Sequence, residues 1–501
     1  MSKISDIQYE DFDIQAFKSR STVVLTDTYP PFTHGGAEIS LSICVNALPR
    51  SERKKIVIIM NAADQTTITS RFTNDVMVVR VPSSANFPFE SHAKFLLPGR
   101  PLRKLLGEKN HTRSKIARRV LNPKDRDKVL LARKEGRTHP RGGICQDHLV
   151  GQGEFVARTY IKLVEMMPEF EILVSDNTRS ILLGAKLMAA RAPRKASVGI
   201  VRDNRFYCPR PTQSGVVKGR ICQTTCAFEC ADIDAPKGPD IRRKALGMLH
   251  AYRKQALNSY SKVVTTSHQL VRYLQPVLDE STRLVRIPNG FGDSKEIDAF
   301  CVGRAQNYRD QLVIIGMLNE NKGQIQFIKA ATKWLKKHPS VQIILCGRGD
   351  RIANAVKKYA VENGISGQIK LAGFRSREDL FKILKESKLV LAPTVWPEPF
   401  GRVPLEAGIA QRAIVAFGVG GLNESIVDGK TGLLVKPGDY KRFLECIDEL
   451  LANPATRLHM EKNARAHILK QYNTDKTADV FAVEVFQSAE ILTSSLESAA
   501  I

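Results

Sequence analysis

The 501-residue sequence has no apolar run approaching the roughly 18 residues that a membrane-crossing helix needs. Its opening stretch, MSKISDIQYEDFDIQ, lacks the apolar core of a signal peptide. Cysteine is sparse: nine residues, with no spacing that makes a secreted disulfide framework. These absences exclude a helical membrane protein and a disulfide scaffold. They set the expectation of a cytoplasmic protein with reduced thiols. Hydrophobic residues at 43% and charged residues at 25% fit a globular chain, and its length suits two domains rather than one core.

What the chain has in excess is positive charge. The formal net charge is +25, and residues 1–300 carry most of it. Residues 100–141 alone hold 15 basic and 4 acidic residues. A concentration of this kind suits an anionic partner such as a membrane surface or a phosphorylated ligand, or else a solvated insertion. The same segment contains no Phe, Tyr or Trp, so it lacks the stacking residues of a nucleic-acid-binding arm.

Short apolar runs alternate with segments of helical period. In the second half, LVIIG (312–316) precedes a helix pattern in which Ile325, Ile328, Ala331 and Leu335 recur. VQIILC (341–346), IKLAG (369–373), KLVLAP (388–393), AIVAF (413–417) and GLLVKPG (432–438) continue the alternation. The first half repeats it with TVVLT (22–26), KIVIIM (55–60), VMVVRV (76–81), FEILVS (170–175) and KVVTT (262–266). Near-continuous apolar strands separated by helices predict parallel sheets covered on both faces, in two doubly wound α/β domains.

Ligands of such sheets bind beyond the carboxyl ends of the strands. There, after KLVLAP, the segment WPEPFGRVPLEAG (396–408) holds Glu398 and Glu406 eight positions apart. Pro404 suits the first turn of a helix, which puts Glu398 on the loop and Glu406 just inside the helix. The amides of Phe400, Gly401 and Arg402 would lie between the two acids. Carboxylates accept hydrogen bonds from hydroxyls and free amides hold phosphate, a combination that fits a nucleotide sugar; two surface acids on a capped loop are the plain alternative.

At this point the sequence resembles the retaining glycosyltransferases of family 4. The resemblance is carried by EPFGRVPLEAG, by GVGGLNESIVDGKTGLLVKPGD (418–439), by GMLNENKGQ (316–324) and CGRGD (346–350), and by PPFTHGGAE (30–38) and IPNG (287–290) near the two ends of the first half. It covers roughly residues 21–475. It implies the GT-B fold: two Rossmann-like domains facing each other across a donor-binding cleft. The domain expectation is an N-terminal extension over 1–20, an acceptor-side domain over 21–295 with a basic insertion near 96–150, a nucleotide-sugar-binding domain over 296–475, and a C-terminal helix over 476–501 packed back on the first domain.

The resemblance also implies roles. Lys322 neutralises the donor diphosphate and Glu398 faces the donor sugar, the two catalytic assignments. Glu406 binds the ribose hydroxyls, Phe400 and Gly401 contribute backbone amides, and Arg348 joins the donor site. Gly35 and Gly36 let backbone approach the diphosphate from the other domain. The donor is UDP- or GDP-linked and the acceptor is a glycan or a lipid-linked sugar. Cell-surface polysaccharide or lipopolysaccharide synthesis at the inner face of the membrane is the implied setting. Front-face attack assisted by the leaving phosphate needs no metal or other cofactor.

Two departures from the family pattern matter. Met317 stands where relatives carry a basic residue, which leaves Arg348, Arg402 or Arg375 to support Lys322. Arg202 and Asp203, in VRDNRFYCP (201–209), stand where many relatives have a His-Asp pair, and they are candidate acceptor or phosphate contacts. Met317 is the feature that would suit a non-transferring relative of the same fold. Separately, Cys208, Cys222, Cys226 and Cys230 lie within 23 residues. Their spacing leaves open a structural zinc or iron–sulfur site and a set of reduced thiols.

Overall fold

The computed structural model describes residues 11–27, 29, 36–62, 68–82, 159–208, 216–217, 220–221, 239–291 and 310–486. The basic segment 100–141, Gly35, Cys222, Cys226 and Cys230 lie outside the described residues.

The first domain is built on β1 (Thr22–Thr26), β2 (Ile56–Ala62), β3 (Thr69–Thr73), β4 (Val76–Pro82), β5 (Ile172–Asp176) and β6 (Ala196–Val201). A two-residue pair, β7 (Val216–Val217) and β8 (Arg220–Ile221), stands apart, and β9 (Lys262–Thr265) and β10 (Arg283–Arg286) complete the set. Eight of these form one sheet in the order β10-β9-β6-β5-β1-β2-β4-β3. All neighbours are parallel except β3, which runs antiparallel to β4 at the edge.

Both faces of this sheet are covered, and the two-residue period of the strands divides its apolar side chains between them. Val23 and Leu25 of β1 join Val57, Ile59, Tyr160, Leu163 and Ile181 on one face. Val24 joins Ile58, Leu41 and Val45 on the other.

The second domain holds β11 (Gln311–Ile315), β12 (Gln342–Cys346), β13 (Ile369–Gly373), β14 (Leu389–Ala392), β15 (Ala413–Phe417) and β16 (Leu433–Val435). They form an all-parallel sheet in the order β13-β12-β11-β14-β15-β16. The helix Gln324–Lys337 buries Phe327, Ile328, Ala331 and Leu335 against it, a stripe at helical spacing. The chain runs outward from β11 through β12 to β13, then returns to the other side of β11 as β14. Order reverses between β11 and β14, so the crevice for a ligand opens beyond their carboxyl ends.

The chain leaves the first domain after Phe291 and comes back to it as the helix Thr474–Phe486. Phe481, Ala482, Val485 and Phe486 of that helix share a core with Leu41, Val45 and Ile58. Glu484 receives Lys262 Nζ and Arg283 Nη2, each at 2.8 Å. The two crossings touch: Phe291 donates its amide to the Tyr472 carbonyl at 3.3 Å, and a Cβ on Gly290 would sit 3.0 Å from the Thr474 Cα. Among the described residues no helix is long and apolar enough to cross a membrane.

Candidate active site

The loop after β11 is shaped by its own polar groups. Asn319 Oδ1 accepts the amides of Asn321 at 3.0 Å and Lys322 at 3.1 Å, capping the single 3-10 turn Glu320–Lys322. Gly323 follows in the left-handed region, φ 72°, and a Cβ there would lie 2.1 Å from the Pro393 carbonyl oxygen. Only glycine lets the loops after β11 and β14 meet at this point. Thr394 Oγ1 donates to the Asn321 carbonyl at 3.1 Å, a second tie between them.

On this joint Lys322 Nζ forms an ion pair and hydrogen bond with Glu398 Oε1, and lies 5.1 Å from the centroid of the Trp396 ring. Glu398 is 7% exposed. A charge pair this enclosed is held by geometry, since each partner has given up much of its water.

The Glu398 backbone is clasped from behind. Gly421 donates its amide to the Glu398 carbonyl at 2.7 Å. Gly420, at φ 58°, leaves room for the same loop: a Cβ there would stand 2.3 Å from the Glu398 carbonyl oxygen and 2.5 Å from its nitrogen. The amides of Phe400 and Gly401 donate to no acceptor among the described residues. The Phe400 side chain is core, packed edge-on against Tyr472 at 5.5 Å.

Glu406 lies in the first turn of the helix Val403–Ile409, two residues beyond Pro404. Burial raises its carboxyl group above the ordinary range, and the nearby Arg402 and Arg377 guanidinium groups act in the opposite direction. Its carboxylate has no hydrogen-bond or ion-pair partner among the described residues. The structure thus brings Lys322, Glu398, Phe400, Gly401 and Glu406 to the two loops at the switch point.

Arg402 does not support Lys322. Its guanidinium reaches into the first domain, to Ser40 Oγ at 2.9 Å and the carbonyls of Gly290 at 3.5 Å and Phe291 at 3.3 Å. Arg377 also serves this joint, donating to the Phe291 carbonyl at 2.7 Å with its guanidinium 4.3 Å over the Phe291 ring. Arg348 lies over the exposed Phe374 ring at 4.3 Å and pairs with no carboxylate among the described residues. Met317 is 61% exposed beside it, and Leu318 donates its amide to the Arg348 carbonyl at 2.7 Å.

In the first domain Arg202 is held at the carboxyl edge of the sheet. Its Nε donates to Asp176 Oδ1 at 2.7 Å and its Nη1 to Asn289 Oδ1 at 2.8 Å. Asp176 is wholly buried, which raises its carboxyl group, with Arg202 acting against that. Asp203 accepts the Thr178 hydroxyl at 2.8 Å and the Arg205 amide at 2.9 Å, as a turn cap does. Gly36 begins the helix Gly36–Ala47, which follows β1 in the chain. Cys208 is buried, and the other three members of its cluster lie outside the described residues.

Three residues of the site carried no role in the sequence reading. Asn204 Nδ2 donates across the seam to the Pro397 carbonyl at 2.9 Å. Glu424 crosses the other way, its carboxylate accepting the amides of His268 at 2.9 Å and Gln269 at 3.0 Å. Asp176 anchors Arg202. Each is defined by a partner far away in sequence; the only local signals were the position of Asn204 directly after Asp203 and that of Glu424 three residues after a double glycine.

Chemically, the switch point offers one ammonium group, two carboxylates and two uncommitted amides. That set can hold a diphosphate and several hydroxyl groups together.

Residues 302–467 match the family described as glycosyl transferases group 1. The D-inositol 3-phosphate glycosyltransferase of Corynebacterium urealyticum is 29% identical over 180 residues, 35% of this chain and 42% of that protein. The alpha-D-kanosaminyltransferase of Streptomyces kanamyceticus is 27% identical over 174 residues, 35% of this chain and 45% of that one. The matched stretch spans less than half the length of these relatives. Among solved structures, sucrose-phosphate synthase from Thermosynechococcus elongatus superposes with a TM-score of 0.61 at 17% identity, covering 96% of this chain and 100% of that one. Anabaena HepE in complex with UDP and glucose gives a TM-score of 0.56 at 17% identity, covering 94% and 100%. The fold is GT-B.

Proposed function

We propose, for a chain whose residues 302–467 carry the glycosyl transferases group 1 domain, that it transfers a sugar from a nucleoside diphosphate to a hydroxyl of a glycan or lipid-linked acceptor, with retention of configuration. The observation that carries this reading is the Lys322–Glu398 pair at the β11/β14 switch point, beside the unpartnered Glu406. One neighbour of the same fold, Anabaena HepE, holds UDP with glucose in one structure and UDP-glucose in another, which supports a nucleotide-sugar donor.

In this reading the ligand reorders an existing contact. Without ligand, Lys322 is neutralised by Glu398. The donor diphosphate takes over the ammonium group, and Glu398 is released to accept hydroxyl groups of the transferred sugar. As the glycosidic bond breaks, negative charge grows on the leaving phosphate, where a fixed cation lowers the barrier. Glu406, ionised, accepts the ribose hydroxyls. The leaving phosphate takes the acceptor proton, so the step needs neither a protein nucleophile nor a metal. Arg348, close to the same strand ends and without a carboxylate partner, is the cation that replaces the missing one at Met317.

The acceptor lies against the first domain, whose basic segment 100–141 holds the enzyme at an anionic membrane face. Surface polysaccharide or lipopolysaccharide assembly is the corresponding process. The test is a thermal-shift screen of UDP- and GDP-sugars, since a ligand that binds only the folded state raises Tm. The sugar that raises Tm is then incubated with glycan and lipid-linked acceptors while nucleoside diphosphate release is followed. A protein stabilised by no nucleotide sugar contradicts the proposal.

A further inference from the structure

Asn204 is fully buried at the seam between the domains. Its Nδ2 donates to the carbonyl of Pro397, the residue before Glu398. A carbonyl can only accept, so the amide nitrogen must face it and Oδ1 must point elsewhere. Oδ1 meets no donor among the described residues. Buried side-chain acceptors without a donor are uncommon, because they have lost water without replacement. The residues around Asn204 are otherwise fully engaged: Arg202 with Asp176 and Asn289, Asp203 with Thr178 and the Arg205 amide. This turn is therefore held rigid by the first domain and presents one amide to the second.

We infer that Asn204 is a positioning residue for the Glu398 loop, and that its free Oδ1 accepts a hydroxyl group from the sugar-bearing ligand at the seam. The amide spans both halves of the site. Its nitrogen sets the loop that carries Glu398, and its oxygen gains a donor only when a polyhydroxylic ligand is present. The inference rests on the nucleotide-sugar reading for the identity of that ligand, whereas the positioning role rests on the Pro397 bond alone.

The experiment compares N204A and N204D with the wild type in the full chain, using the nucleotide sugar from the Tm screen and nucleoside diphosphate alone. N204A is expected to lower kcat about ten-fold or more, with the donor KM within about three-fold, as for an interaction that matters most in the transition state. Nucleoside diphosphate affinity stays at its wild-type value, and Tm falls by no more than the loss of one buried hydrogen bond brings. In N204D the introduced carboxylate repels the Pro397 carbonyl, but once protonated it donates to it and still offers an oxygen. Its kcat therefore recovers relative to wild type as pH falls. Wild-type turnover in both variants at every pH overturns the inference. So does an N204A loss in which Tm and nucleoside diphosphate affinity fall in step with the rate, the mark of a seam residue and nothing more.

Trp396 provides a readout that needs no ligand. The chain has two tryptophans. Trp334 is buried, with Nε1 bonded to Asp448 at 2.8 Å, so a change in emission reports Trp396, next to Pro397. A shifted emission in N204A supports the positioning role even if the wild type binds no nucleotide, a result that would defeat the donor reading instead. Unchanged emission ends the positioning role.

Discussion

Arg402 reaches out of the second domain to donate a 2.9 Å hydrogen bond to Ser40 of the first. From the same loop Pro397 accepts Asn204, and farther along Glu424 caps the His268–Leu274 helix. The segment holding the candidate chemistry is thus also the segment through which the domains meet. Changes in the crevice and changes in domain closure are coupled by covalent proximity.

Replacing Lys322 by Ala removes a preorganised charge from the position of the leaving group. The expected loss is at least about 2 kcal/mol in kcat/KM, read from steady-state rates. Full activity would place the diphosphate elsewhere, with Arg348 the next cation to change.

Glu398→Gln separates binding from turnover. The neutral amide no longer holds Lys322, so nucleoside diphosphate should bind more tightly, by a few-fold, in calorimetric titration. Turnover should fall at the same time, because the sugar loses its carboxylate. Weaker nucleoside diphosphate binding would contradict the exchange of partners at Lys322.

Glu406 governs a pH dependence. Its carboxyl is raised by burial, and the ionised form is the one that accepts two ribose hydroxyls. Donor affinity should therefore rise with pH through a value above the ordinary glutamate pKa of about 4.3. Glu406→Gln should flatten that rise. The effect on stability has the opposite sign: a carboxyl raised on folding favours the folded state at low pH and loses that advantage as pH climbs past its folded value. The glutamine variant should gain stability on the wild type over the same range, measured by urea unfolding.

Gly420→Ala tests the clasp behind Glu398. The Cβ would meet the Glu398 backbone at 2.3 Å, in a left-handed conformation that alanine adopts poorly. A loss on the order of 1–3 kcal/mol in unfolding free energy is expected, together with reduced kcat. Gly420→Asn should fare no better, since asparagine tolerates the φ angle and still brings a Cβ. Recovery in the asparagine variant would assign the cost to conformation rather than contact.

For the basic segment, Arg113, Lys115, Arg118 and Arg119 changed together to Glu should release the protein from anionic vesicles. Each basic residue near such a surface contributes roughly 1 kcal/mol, and added salt should have the same effect as the substitutions. Turnover of a short soluble acceptor should not change. Wild-type protein that ignores anionic vesicles at low salt contradicts membrane docking.

The second domain was legible because its strands are short, nearly continuous apolar runs and cleanly separated. IKLAG and AIVAF coincide with β13 and β15, and LVIIG is offset by one residue from β11. The first domain was harder to read. β6 went unread: Ser197 and Gly199 interrupt its apolar run, ASVGIV. β3 is an exposed edge strand, TSRFT, with no apolar stripe to betray it. The long helix Pro239–Asn258 is dominated by basic and small residues, so its period is weak.

The candidate site divides in the same way. Lys322 and Glu398 lie on two loops, and Glu406 in the helix that follows the second of them, at positions that follow from strand order. Arg402 illustrates the limit: its residue type suits a phosphate, yet its partners are Ser40, Gly290 and Phe291, contacts that exist only once the domains have met. Asn204 and Glu424 are identified by the same kind of contact.

The return helix Thr474–Phe486 imposes an order on synthesis. Phe481, Val485 and Phe486 cover Leu41, Val45 and Ile58, so the core of the first domain is completed by residues translated after the whole of the second. The second domain, contiguous from Gln311 to Tyr472, has its whole sheet in hand before that helix leaves the ribosome. The half made first is thus the half finished last, and its uncovered apolar face is what a nascent-chain chaperone would meet in the interval. Limited proteolysis of a released chain truncated before residue 474 should cut the first domain and spare the second.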